Sequence, residues 1–125
     1  MPLAYWCILV AAMLPLFWAA FAKAGGNVDN RCPRESTADL PPPYRRAYAA
    51  HSNAYENLPF FAAAVIIAVT QGAPISTVNW LAAAYIILRF AHGVAYVLNY
   101  HVVRSAIYGL ALLANIAIFL LPAFG

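Results

Sequence analysis

Four long apolar runs, separated by short polar or turn-forming stretches, set the pattern of this chain. Residues 2–22 are almost wholly apolar, and a helix of that length spans the ~30 Å of a bilayer's hydrocarbon. Residues 24–43 follow, with Gly25-Gly26, Asn27, Asp29, Asn30, Pro33 and the run Pro41-Pro42-Pro43, and these breakers predict a loop. Such a loop either covers a pocket at the membrane face or does nothing; loops of about 20 residues without regular structure are uncommon unless functional or disordered. A second helix is predicted over 44–70, starting directly after prolines that suit a helix N-terminus. Gly72, Pro74 and Ser76 make a tight turn, and the third helix covers 77–100. His101 and Val102 form a short connection into a fourth helix, 103–121, stopped by Pro122. The expected fold class is all-α, an up-and-down four-helix membrane bundle forming one domain over residues 1–125.

The polar residues inside these runs are few and grouped. On a helix turning 100° per residue, Arg46, Ala49, Ala50, Asn53, Glu56, Asn57 and Phe60 fall within about one third of the circumference. On the third helix Arg89, His92, Tyr96 and Asn99, spaced three, four and three, share a face. Arg104, Ser105 and Tyr108 open the fourth helix, and Asn115 is its one deep polar residue. A carboxylate inside a membrane helix costs roughly 2.5 to 3.5 kcal/mol on insertion scales, so Glu56 needs a partner. With helices two and three antiparallel about residues 73 and 74, Glu56 is level with Ala91, half a turn from Arg89 and His92. That geometry predicts an ion pair between Glu56 and Arg89. The polar residues gather in one half of the bundle, which marks a candidate site. The plainer alternative is a cluster that only holds helices together.

Composition agrees with a membrane protein. Hydrophobic residues make up 65% and charged residues 9%, against about 25% charged in ordinary soluble domains. The net charge is only +3, and its placement matters more than its size. Lys23, Arg31, Arg34, Arg45 and Arg46 lie in the first connection and Arg104 in the second, whereas Gln71 to Val78 carries no charge. By the positive-inside rule both basic segments are cytoplasmic and both termini face away from the cytoplasm. Cations so few and dispersed give no support to nucleic-acid binding. The AFAKA sequence resembles a signal cleavage site, but no Lys or Arg precedes the first run, which is therefore read as a transmembrane helix. Cys7 and Cys32 sit at opposite ends of that span, so a disulfide between them is geometrically implausible, and two thiols make no metal framework.

The run RAYAAHSNAYENLPFF, followed by RFAHGVAY and then RSAIY, resembles the family of membrane-associated proteins in eicosanoid and glutathione metabolism, which includes microsomal glutathione transferases and microsomal prostaglandin E synthase. The resemblance covers about Arg45 to Leu121, with motifs on three helices in the right order. It implies a four-helix subunit assembling into a homotrimer, a bacterial inner-membrane location, and sites between subunits near the cytoplasmic face. It implies glutathione as co-substrate and a hydrophobic electrophile as second substrate, hence transferase or peroxidase activity in contact with membrane lipid. Arg104 and Ser105 are the implied catalytic residues, stabilising the glutathione thiolate. Arg46, Asn53, Glu56, Arg89, His92, Tyr96 and Tyr108 are the implied ligand contacts. Ala49 and Ser52 depart from the family, since arginines often stand there and help hold glutathione carboxylates. Each lost cation removes a charge-assisted bond worth about 1.5 to 3 kcal/mol. A non-catalytic lipid-binding or scaffold protein, a role also found in this family, is the alternative.

Overall fold

The computed structural model describes residues 1–26, 31–32 and 36–124. Residues 27–30 and 33–35 of the long loop, Arg34 among them, and residue 125 lie outside that description. The chain forms α1 (Leu3–Lys23), a short 3-10 turn (Thr37–Asp39), α2 (Pro42–Thr70), α3 (Ile75–Val97) and α4 (His101–Phe124), with no strand among the described residues. All four α-helices are long and apolar enough to cross a membrane.

Successive helices run antiparallel. On α2 and α3, Arg46 meets Val97, Asn53 meets Arg89, and Phe61 stacks on Tyr85 with ring centroids 4.1 Å apart. On α3 and α4, His92 faces Tyr108 and Tyr96 faces Arg104. The α1 helix packs chiefly on α2, and α3 chiefly on α4. The buried core is built largely of small residues, among them Ala4, Cys7, Ala11, Ala64, Ala68, Ala82 and Ala111. Small side chains let helix backbones approach closely where lipid offers no hydrophobic drive. Large apolar residues such as Leu9, Leu16, Ile66, Ile87, Leu113 and Phe119 point outward instead.

Several helix ends depart from the predicted limits, α3 among them with a start at Ile75 in place of residue 77, and the clearest departures have a local cause. The α2 helix starts at Pro42, two residues early, because proline at the first turn loses no hydrogen bond. The α3 helix stops at Val97 rather than near Tyr100. Asn99 takes the left-handed conformation (φ 64°), its N–H donates to the Tyr96 carbonyl (3.1 Å), and the Tyr100 N–H donates to Ala95 (2.9 Å). These two bonds are a Schellman cap with asparagine in the position glycine usually takes. Gly72 (φ 78°) makes the same cap on α2, with bonds from Gly72 to Val69 and from Ala73 to Ala68. The connection between α3 and α4 is thus Leu98 to Tyr100, while His101 and Val102 belong to α4. Pro122 does not stop α4, which continues to Phe124. Proline supplies a helical φ and forgoes one hydrogen bond to the preceding turn, and Pro15 and Pro59 are likewise accommodated inside α1 and α2.

Close packing at the loop end of the bundle positions the helices there. A β-carbon at Gly93 would overlap the Trp18 indole, so only glycine lets α1 and α3 meet at this point. Gly25 lies as close to the Tyr44 ring. Leu40 completes a small cluster with Ala22 and Ala47, against which Tyr44, Tyr48 and Val97 pack. At the opposite end the Asn79 side chain accepts a hydrogen bond from the Ala4 N–H (2.9 Å), pairing an amide that the first turn of α1 leaves without an intrahelical partner.

Candidate functional site

At the loop end, α2, α3 and α4 enclose a cleft of about 270 Å³ lined by Asn53, His92, Tyr96, Arg104, Ser105 and Tyr108. The spacing of three and four residues on each helix brings these side chains to one side. His92 is buried, Arg104 half-buried and Ser105 exposed, so the cleft grades from protein interior to open surface. The Arg104 guanidinium lies 4.4 Å from the centre of the Tyr96 ring, a cation–π contact that steadies the cation at the cleft wall. The rings of Tyr96 and Tyr108 each lie 5.8 Å from the His92 ring.

A chain of hydrogen bonds backs this cleft. Arg89 on α3, 5% exposed, donates from Nη2 to Asn53 Oδ1 at 2.5 Å. Asn57 Nδ2 donates to the Asn53 backbone carbonyl (2.8 Å) and to Asn53 Oδ1 (3.3 Å). The Tyr108 hydroxyl in turn donates to Asn57 Oδ1 at 3.2 Å. Because arginine can only donate, Asn53 must turn its oxygen toward Arg89. Its amide NH₂ is left to serve the cleft. Asn57 is absent from the residues the family resemblance implies, although it stood on the predicted polar face four residues after Asn53; that spacing was the available signal.

Three other implied contacts lie outside the cleft. Arg46 donates from Nε to the Val97 carbonyl (3.0 Å) and so closes the C-terminal end of α3, where a cation is favourable. Arg89 sits behind the cleft. The ion pair expected between Glu56 and Arg89 is not formed within the subunit: Glu56 is exposed, and Arg89 bonds to Asn53 instead. The reason is rotational. Asn53 and Asn57 occupy the part of the polar arc that faces α3 and α4, and Glu56 lies on its outer edge.

A second groove, about 560 Å³, runs along α2 beside Tyr48, His51, Ser52 and Tyr55. The His51 ring lies 5.1 Å from each of the Tyr48 and Tyr55 rings, and its Nδ1 is 2.8 Å from the Pro15 carbonyl oxygen. A carbonyl only accepts, so Nδ1 carries the proton in that bond. Among the described residues no cluster of His, Cys, Asp and Glu is suited to a metal ion.

The family model for MAPEG matches residues 3–124, nearly the whole chain. The chain belongs to the MAPEG family. No curated protein and no solved structure matches it significantly. Membership, together with four helices of spanning length, makes this a multi-pass integral membrane protein. In this MAPEG chain the cleft at the loop end holds Arg104, Ser105 and Tyr108 from α4 beside Asn53, His92 and Tyr96 from α2 and α3.

Proposed function

We propose that this MAPEG protein is a glutathione-dependent transferase or peroxidase acting on hydrophobic electrophiles at the cytoplasmic membrane face. The observation that carries this reading is the donor set of the cleft. Arg104 supplies a cation, His92, Tyr96, Ser105, Tyr108 and the Asn53 amide supply polar groups, and among the described residues no carboxylate lines the cleft. Such a set favours an anion. A thiolate fits, because a nearby cation and hydroxyl donors raise the ionised, nucleophilic fraction of a thiol.

In this reading Arg104 and Ser105 face the glutathione sulfur and Tyr96 holds the Arg104 plane. The thiolate then attacks an electrophilic carbon delivered from the apolar side of the helices, and the S–C bond forms as that carbon's leaving group departs with the bonding pair. With a hydroperoxide it takes the terminal oxygen as the O–O bond breaks, giving an alcohol and a glutathione sulfenic acid that a second glutathione converts to disulfide and water. Asn53, His92 and Tyr108 orient the tripeptide.

The assembly is proposed to be a homotrimer with the sites between subunits. Glu56 supports an oligomer, since an exposed carboxylate on a membrane-spanning helix is costly against lipid and is better covered by protein. Tyr48, His51, Ser52 and Tyr55 add a polar groove on the same helix.

Equilibrium binding of glutathione to the purified protein in detergent tests the reading. Saturable binding at millimolar concentration or below, weakened by Arg104→Leu, is expected; its absence overturns the proposal. The competing reading, a non-catalytic lipid-binding or scaffold protein, draws on Ala49 and Ser52, which are uncharged where arginines that help hold glutathione carboxylates often stand in the prostaglandin synthase type of sequence. It also draws on an open groove of about 310 Å³ beside Leu3, Trp80 and Ala83 at the other end of the bundle. Binding of fatty acyl probes without glutathione binding would favour it.

A further inference from the structure

Asn115 lies deep in α4, 2% exposed, and among the described residues its Oδ1 meets no hydrogen-bond donor. A buried acceptor in that state is costly, so native proteins pair it with a protein group or an ordered water. Asn115 lines a small internal cavity together with the polar side chains of Asn57, Tyr85, Arg89 and Tyr108. The cavity measures about 10 Å³. One water needs roughly 10 to 15 Å³ measured this way, together with two to four polar partners. Neither a glutathione group nor a hydrated ion fits.

We propose that this cavity binds a single water molecule, held between Asn115, Tyr85 and Arg89 behind the cleft. The donors and acceptors match. Arg89 has five N–H donors, and one hydrogen bond, to Asn53, engages it among the described residues. The Tyr85 side chain is 3% exposed and no hydrogen bond within the described residues engages its hydroxyl. A water there accepts from both Arg89 and Tyr85 through its two lone pairs and donates to Asn115 Oδ1, and all three groups gain a partner. A side chain from a second subunit cannot take its place, because Asn115 is all but inaccessible from outside the protomer. Tyr108 lines this cavity and the cleft alike, so the water stands directly behind the cleft wall. The proposal is independent of what the cleft binds.

The test is an experimental structure of the full-length protein at a resolution that reveals ordered solvent, paired with the Asn115→Leu variant. A solvent peak at hydrogen-bonding distance from Asn115 Oδ1, about 2.5–3.0 Å, is expected in the wild type and absent in the variant. Asn115→Leu is also expected to lower the thermal midpoint in detergent, because Tyr85 and Arg89 lose their bridge. A wild-type cavity without solvent density overturns the proposal. So does a variant with a raised midpoint, which would mark Oδ1 as an unpaired acceptor in a dry cavity.

Discussion

The buried Arg89 of α3 is held by Asn53 of α2, through a hydrogen bond of 2.5 Å from Nη2 to Oδ1, and not by a carboxylate. The cation therefore sits in the bundle on a neutral partner, with the Tyr108 ring centre 5.9 Å from its guanidinium carbon. Asn53→Leu strips the cation of that hydrogen bond and is expected to cost about 1.5 to 3 kcal/mol, the range for bonds to charged groups. Adding Arg89→Leu removes the stranded charge and is expected to recover much of the loss. Glu56→Gln should leave the unliganded subunit nearly unchanged and add independently to Arg89→Leu. Thermal unfolding of the three single and two double variants in detergent measures this; strong coupling between positions 56 and 89, with none between 53 and 89, would restore the ion pair.

Asn57 links Asn53 to Tyr108, and its contribution is measurable as a coupling. Asn57→Ala and Tyr108→Phe each remove one side of the 3.2 Å bond. The double variant is expected to be less destabilised than the sum of the singles by roughly 0.5 to 1.5 kcal/mol, the net worth of one hydrogen bond. Additivity would show that the two side chains do not depend on each other.

Gly93 is required by Trp18. Gly93→Val puts a branched side chain into the space of the indole and is expected to destabilise by ~1 to 3 kcal/mol, the usual cost of overpacking a core. Trp18→Ala should lessen that penalty when combined with it. Melting curves of the single and double variants test the contact, and an unaffected Gly93→Val would contradict the close approach of α1 and α3.

The helix number was legible because four apolar runs of spanning length leave little else for the chain to form in lipid. The antiparallel register was nearly legible too, since the tight turn at Gly72 ties α2 to α3 at a known point. Side-chain facing was harder. A polar arc of one third of a helix holds both Asn53, which faces the bundle, and Glu56, which does not, and only packing separates them. Asn99 misled for a different reason: three residues from Tyr96 it looked like part of a polar helix face, yet its tolerance of positive φ makes it the residue that ends the helix. The bond from Arg46 that closes the end of α3 at Val97 was not legible, because it depends on a contact 51 positions away.

Charge placement predicts the orientation. A reporter fused at Gly125 should read as outside the cytoplasm, and protease added from the cytoplasmic side should cut between Ala24 and Leu40. Cleavage of that loop only from the opposite side would place the cleft on the other face of the membrane.

The role proposed for Arg104 is to make the cleft a thiolate site. Rapid mixing of the purified protein with glutathione, followed by the ultraviolet absorbance of the thiolate, tests it most directly. A saturable absorbance rise is expected in the wild type, with a roughly ten- to hundred-fold weaker tendency to form the thiolate in Arg104→Leu, the equivalent of one charge-assisted bond of about 1.5 to 3 kcal/mol. No saturable rise at millimolar glutathione, or an equal rise in the variant, would contradict it.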